Sequence, residues 1–217
     1  MTDTLPKSFA QKWIDAARKA LIQEGHAGIK VDRLAVQLGV TRGGFYHNFS
    51  DRDDLLVRLL HDWEERCQFL PPSSPGATPQ EAVRWFDSLS DRIVTEDGYD
   101  RDFDMAVREW GRSDQRAAWA IERADAQRIS GLKQFFLALG YGDDEALTRA
   151  QIFYFHQIGY YAIGIRQTVS ERRRSAKLYI DILCGGDRIA AGRANLALDG
   201  QPHRSTTKRA SSRRSPM

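Results

Sequence analysis

Apolar residues recur at three- and four-residue spacing along most of this chain, the period of helices that bury one face. Phe9, Trp13, Ala17, Ala20 and Leu21 form the first stripe. They predict helix one from about Phe9 to Gln23, with Ser8 and Gln11 as a capping box and Gly25 as its stop. Val31, Leu34, Ala35 and Leu38 predict helix two over about Val31 to Leu38, followed by a left-handed turn at Gly39 with Val40 pointing inward. Helix three is expected from about Thr41, as N-cap, to Asn48, with Phe45 and Phe49 on its buried side. Helix four is expected from Ser50 toward Leu70: Ser50 and Asp53 fit a cap, and Asp51, Asp53 and Asp54 suit the positive end of the helix dipole.

Pro71-Pro72-Ser73-Ser74-Pro75-Gly76 breaks the pattern. Thr78-Pro79-Gln80-Glu81 then restarts it with a cap, a proline in the first turn and a glutamate at the third position, predicting helix five to about Val94. Four further helices follow, over about Phe103 to Trp110, Asp114 to Leu139, Asp144 to Arg166 and Glu171 to Leu183, with a short helix near Arg188 to Leu196. No alternating strand pattern persists. The expected fold is therefore all-α, with about nine helices, in three parts: residues 1–70, 71–199 and a disordered tail, 200–217.

Charge sharpens the picture. The net of +3 owes everything to that tail, where Arg204, Lys208, Arg209, Arg213 and Arg214 meet no acid; without them 27 bases face 29 acids. Any affinity of residues 1–199 for a polyanion must come from where charges sit rather than from a global positive field. Cys67 and Cys184 can build neither a disulfide framework nor a Cys-x-x-Cys metal site, which fits a reduced, cytoplasmic setting. The N-terminal residues hold no apolar signal segment, and the apolar run Ile152 to Ile165 is shorter than the roughly 20 residues of a membrane span. No membrane partner is expected. Gly-x-Ser-x-Gly, His-Glu-x-x-His and phosphate-binding glycine loops are all missing from the sequence, so no catalytic residues, metal or cofactor are expected.

Residues 31 to 55 carry the most specific signal. A short helix, a glycine turn and a second short helix opening with small polar residues have the form of a helix-turn-helix. From Phe9 to Leu60 the chain resembles the TetR family of bacterial transcriptional regulators. The resemblance rests on Gly25, Leu34-Ala35, Gly39-Val40-Thr41, Arg42-Gly43-Gly44-Phe45-Tyr46-His47-Asn48-Phe49 and Asp51-Arg52-Asp53-Asp54-Leu55. A looser likeness to some members covers Val107-Arg108-Glu109-Trp110, Asp125-x-x-Arg128 and Gln134-Phe135-Phe136-x-Ala138-Leu139-Gly140. The resemblance implies a homodimer with an N-terminal three-helix DNA-binding head on each subunit. It also implies a C-terminal helical bundle for ligand binding and dimerisation, whose occupant sets the distance between the heads. One departure stands out. Members usually place Thr or Ser just before helix two, where this chain has Ile29-Lys30; Lys30 can replace a phosphate contact but not a cap.

A recognition helix must bring its first turn close to base edges in the major groove. Gly43 and Gly44 each forfeit roughly 1 kcal/mol of helix propensity against alanine. That cost fits either close approach to DNA or close packing of helices two and three. Arg42 suits guanine or a phosphate, and Thr41 a phosphate or a thymine methyl group; the resemblance adds Tyr46 and His47 as phosphate contacts. Two heads about 34–36 Å apart would meet successive major grooves, so the expected operator is an inverted repeat on double-stranded DNA.

The second half is rich in aromatics. Singly these read as core; as a group Trp85, Phe86, Phe103, Trp110, Trp119, Phe135, Phe136, Phe153, Phe155, Tyr160 and Tyr161 fit a small lipophilic effector, with Trp85, Phe86, Phe103, Trp110, Trp119, Phe155, His156 and Tyr160 as the candidate contacts. His156 and Gln157 interrupt the apolar helix eight and either orient a ligand or bond within a dimer interface formed by helices eight and nine. Arg108, Glu109, Asp125 and Arg128 read as intramolecular ion pairs, and Arg172-Arg173-Arg174 as a solvated helix start. The functional expectation is a ligand-responsive repressor. The alternative is a small-molecule-binding or enzymatic helical protein with a vestigial head, supported by the missing cap at Lys30.

Overall fold

A computed structural model describes residues 8–199; residues 1–7 and the basic tail expected at 200–217 lie outside the described residues. The helices are α1 (Phe9–Glu24), α2 (Val31–Leu38), α3 (Arg42–Tyr46), α4 (Arg52–Arg66), α5 (Pro79–Thr95), α6 (Arg101–Trp110), α7 (Gln115–Ala138), α8 (Asp143–Ala162), α9 (Val169–Ile180) and α10 (Gly186–Asp199). A 3₁₀ turn, His26–Gly28, precedes α2, and a π-turn, Asp181–Gly185, joins α9 to α10. Among the described residues the only extended pairing is an isolated antiparallel bridge between Cys67 and Tyr99. The all-α expectation holds. Among the described residues no helix is long and apolar enough to cross a membrane.

Local capping chemistry sets most helix starts. Thr78 and Thr168 form full capping boxes with Glu81 and Glu171, each hydroxyl accepting from the glutamate N–H while the carboxylate accepts from the threonine N–H. Asp100 and Asp114 accept from the first turns of α6 and α7. Such a cap is worth about 1 kcal/mol against alanine. Three expectations need correction. The cap of α4 is Asp51, whose carboxylate accepts from the Asp54 N–H at 2.8 Å, not Ser50 with Asp53. Ser8 accepts from the Gln11 N–H, but the Gln11 side chain donates to Asp15 and Asp62, so no reciprocal box forms. Helix α9 begins at Val169, three residues before Arg172, which is buried rather than solvated. Its guanidinium pairs with Glu96 at 2.7 Å and lies 5.2 Å above the Tyr160 ring.

Helix α4 also ends sooner than its apolar pattern suggested. At Cys67 the chain turns to pair with the loop before α6: the Gln68 N–H donates to the Gly98 carbonyl and the Asp100 N–H to the Arg66 carbonyl. Helix α8 likewise stops at Ala162, where Gly164 takes a positive φ of 75°.

Helices α1 to α4 close on a small core. Trp13 meets the edge of Phe45 at 5.2 Å and Phe45 stacks on Phe49 at 5.1 Å, with Leu34 and Leu55 buried beside them. In the second half α7 and α8 pack along each other, and Phe86, Phe135, Phe136 and Phe153 fill the space between them and α5.

The two regions meet around a buried polar cluster. Asp104, fully buried, accepts from the Trp63 indole N–H at 2.9 Å and from Arg108 Nε at 2.8 Å. Arg108 grips Asp125 through two hydrogen bonds of 2.7 and 3.0 Å. Arg128 donates to the Tyr154 hydroxyl and to the Cys67 carbonyl, and the Tyr154 hydroxyl donates to Asp125. Two carboxylates thus face two guanidiniums, which is how buried charge is tolerated. Of the four ion-pair candidates only Glu109 stands apart, exposed and paired with Arg112. A second seam lies higher on α6: the His26 imidazole stacks on Trp110 at 5.0 Å, Arg52 reaches His26 at 3.2 Å, and Asp53 pairs with Arg116 at 3.2 Å.

Candidate nucleic-acid interface

The α2–α3 turn is built by Gly39. Its φ of 66° and ψ of 34° lie in the left-handed region that favours glycine, and its N–H bonds the last carbonyls of α2. The Val40 N–H donates back to the Ala35 carbonyl at 3.0 Å, fixing the angle at which α3 leaves. Helix α3 is shorter than expected. Asn48 Nδ2 donates to the Gly44 carbonyl at 2.9 Å and closes the helix, while Phe45 and Phe49 anchor it from below.

With those anchors inward, Thr41, Arg42, Gly43, Tyr46 and His47 are exposed, as is Lys30 at the start of α2; Gly44 is half-buried. Thr41 holds the N-cap position of α3, but its hydroxyl makes no capping bond, contrary to the expected cap. Lys30 precedes α2 with no side-chain cap, as its side chain dictates. Arg42 is restrained at the surface. Its Nη2 lies 3.4 Å from the Tyr46 hydroxyl and its Nη1 3.4 Å from Asp32; together they raise the guanidinium pKa further, Tyr46 most.

The two glycines resolve a question the sequence left open. A Cβ on Gly43 would meet nothing nearer than Thr41 Oγ1 at 3.7 Å, and one on Gly44 nothing nearer than Val40 Cβ at 4.0 Å. Both are ordinary contacts, and neither residue has a positive φ. Packing against α2 therefore does not require glycine at either position.

Sequence reasoning missed two supports. Arg52, at the start of α4, donates to the Ile29 carbonyl at 3.0 Å and touches His26, bracing the turn before α2. Glu24 binds Arg33 through two hydrogen bonds, taking up a base that would otherwise face outward alone. Neither pairing has a sequence signature, because Arg52 reaches back 23 residues to Ile29 and Arg33 back nine to Glu24, each across an intervening turn.

The ligand candidates do not converge. Phe86 is buried in a stack with Phe135 at 4.6 Å, and Trp85 donates its indole N–H to the Ser73 carbonyl. Phe103 and Trp110 face the N-terminal helices. Trp119 and Phe155 are more than half exposed. Only His156 and Tyr160 come together, lining a cleft between α5, α8 and α9. There the His156 ring lies 4.7 Å from Tyr179, and burial lowers its pKa.

Residues 14–59 match the family model for bacterial regulatory proteins, tetR family. Over 52 residues the chain is 33% identical to the HTH-type transcriptional repressor AcnR of Corynebacterium diphtheriae, covering 24% of this chain and 27% of that protein. Over 57 residues it is 30% identical to AcnR of Corynebacterium glutamicum, covering 26% and 30%. The matched segment thus spans less than a third of the length of these curated relatives. Two solved structures share the fold. A transcriptional regulator from Rhodococcus sp. Rha1 aligns with a TM-score of 0.60 at 18% identity, over 82% of this chain and 97% of that one. Salmonella enterica GusR aligns with a TM-score of 0.61 at 17% identity, over 85% and 97%.

Proposed function

From the match of residues 14–59 to the family model for bacterial regulatory proteins, tetR family, we infer that the chain is a homodimeric, ligand-responsive DNA-binding transcriptional regulator, acting as a repressor. In this reading residues 1–70 hold the DNA-binding head and residues 71–199 the ligand-binding and dimerisation bundle, while the tail at 200–217 adds salt-sensitive attraction to phosphates. The partners are an inverted-repeat operator, a second copy of the chain and a small effector. The cytoplasm is the compartment where it meets them.

One observation carries the reading: α3 is pinned by Phe45 and Phe49 and turns Thr41, Arg42, Tyr46 and His47 outward together. The dimer finds support in the apolar side chains exposed on α8 and α9, among them Ile152, Phe155, Leu178 and Tyr179, which a monomer would leave in water.

The test is Arg42→Ala, measured by fluorescence anisotropy on the duplex flanking the chain's own gene. Loss of a bidentate base contact lowers affinity by about tenfold or more and relaxes base preference at one position of each half-site. Unchanged affinity and preference would reject the role of Arg42. No binding of the intact protein to any duplex at low salt would reject the function.

A further inference from the structure

Helix α2 starts without help from its own side chains, since Lys30 holds the N-cap position and makes no capping bond. The turn before it, residues 25–30, is held from outside. Arg52 Nε, at the start of α4, donates to the Ile29 carbonyl at 3.0 Å. Among the described residues no other side chain donates to a backbone carbonyl of that turn. The same guanidinium brings its Nη2 to His26 Nε2 at 3.2 Å. A guanidinium only donates, so this nitrogen of His26 carries the lone pair and the ring proton sits on Nδ1. The His26 ring lies flat on Trp110 of α6, at 5.0 Å and 9° between planes, and Trp110 is buried. The other charges that face His26 are Asp53 on α4 and Asp114 and Arg116 at the start of α7. Both acids are engaged, each 3.2 Å from Arg116. A proton on His26 Nε2 therefore sets two cations 3.2 Å apart and abolishes the bond between them. Burial first, and then Arg52, already hold the imidazole toward its neutral form.

We propose that Arg52 is a positioning residue for operator binding: it fixes the turn that bears Lys30 and leads into α2, and protonation of His26 loosens its hold. The inference rests on the regulatory reading above and adds to it a residue and a condition. The hold is aimed inward, at the carbonyl of a residue only 1% exposed. The guanidinium thus sets how α2 and α3 approach the duplex instead of meeting a phosphate itself. Lysine cannot stand in for it, because an ammonium keeps the charge but lacks the planar fork that reaches Ile29 and His26 together. A phosphate contact, by contrast, would tolerate lysine and would supply about one unit of the slope of log affinity against log salt. The acid dependence has a definite sign. The share of operator affinity that depends on Arg52 is full near neutral pH and shrinks as pH falls through the lowered pKa of His26.

The experiment uses the full chain and the duplex flanking its own gene, read by fluorescence anisotropy at pH 7.5 and pH 5. At pH 7.5 Arg52→Gln and Arg52→Lys are each expected to bind about tenfold more weakly, the worth of one charge-assisted hydrogen bond, with the salt slope of the parent. At pH 5 the loss from Arg52→Gln is expected to be at least about threefold smaller. Because the loss is a ratio of variant to parent, titration of His47 and the other histidines common to both cancels. In a His26→Phe background, which keeps a ring on Trp110, the same loss is expected not to change with pH. Equal affinity of Arg52→Gln and the parent overturns the proposal. An Arg52→Lys that binds like the parent, beside an Arg52→Gln that loses about one unit of salt slope, overturns it too and makes Arg52 a phosphate contact. A loss that is the same at both pH values, or that changes just as much in the His26→Phe background, reduces Arg52 to a brace of the fold. Failure of both variants to fold has the same meaning, and each of these outcomes overturns the proposal. If the parent itself binds no duplex at low salt, the regulatory reading falls and takes the proposal with it. A parent that binds, with variants that match it, removes the proposal alone.

Discussion

Asp32 and Arg42 sit 3.4 Å apart on the surface that the functional reading turns toward DNA. An acid there competes with phosphate for the guanidinium and adds repulsion of its own. Asp32→Asn is expected to raise operator affinity about two- to fivefold at low ionic strength, the worth of an exposed ion pair, with the gain shrinking as salt rises. Titration at two salt concentrations checks it. His26 makes a different prediction. Burial first, and then Arg52, hold its imidazole pKa below the ordinary 6.5, with Asp114 and Asp53 pulling the other way. A lowered native pKa means that the unfolded chain binds the proton more readily. The stabilisation is therefore complete above pH 6.5 and is lost as pH falls through the lowered value. His156 is lowered too and adds to the same acid loss. His26→Phe keeps a ring on Trp110 and removes the titration. Its melting temperature is expected to fall less between pH 7.5 and pH 5 than that of the parent; equal falls would show that His26 does not contribute.

At the scale of the element, α3 gives up stability, and on the functional reading it does so for access to the groove. Two adjacent glycines weaken a five-residue helix, although a side chain would fit at both positions. Gly43→Ala with Gly44→Ala is expected to stabilise the protein by about 1–2 kcal/mol, from propensity alone, and to weaken operator binding at least tenfold by holding the backbone off the groove. Chemical denaturation and anisotropy on one sample separate the two effects. Stronger binding by the more stable variant would refute the trade.

The same scale shows what was readable beforehand. The capping box of α5 was legible because Thr78, Pro79 and Glu81 lie within one turn and act locally. The break at Pro71–Gly76 and the turn at Gly39 were legible for the same reason. The end of α3 was not, since it depends on Asn48 folding back to the Gly44 carbonyl. Burial of Arg172 was hidden as well: its partner Glu96 is distant in sequence, and three consecutive arginines look solvated in isolation. The outward residues of α3 followed from helical spacing once Phe45 and Phe49 were taken as core. The cleft did not follow, because aromatic content says how much apolar surface a chain must bury and not where a gap will remain.

Across the whole molecule, the cluster of Asp104, Arg108, Asp125, Arg128 and Tyr154 ties α4 to α6, α7 and α8. Its charges balance only as a set. Asp104→Ala leaves two guanidiniums, Arg128 buried and Arg108 half-buried, facing one carboxylate and the Trp63 indole without its acceptor, and is expected to cost about 3–5 kcal/mol in urea unfolding. Asp104→Leu combined with Arg108→Met, which removes a charge of each sign, is expected to recover more than half of that loss. A double variant no better than the single one would mean that shape, not charge, holds the seam.

The anchoring of α4 at that end has a geometric corollary. Trp63 and the Cys67 carbonyl are clasped by Asp104 and Arg128, and the bridge to Tyr99 follows at once. The opposite end carries Asp51 and Arg52, next to the turn that bears Lys30. Fifteen residues make a rod of about 22 Å, at 1.5 Å per residue. A tilt of about 5° at the clasp swings the far tip by about 2 Å over that length. On the functional reading the rod is a lever: a tilt that is small at the clasp is magnified along its length, to the scale of a lost hydrogen bond at the tip.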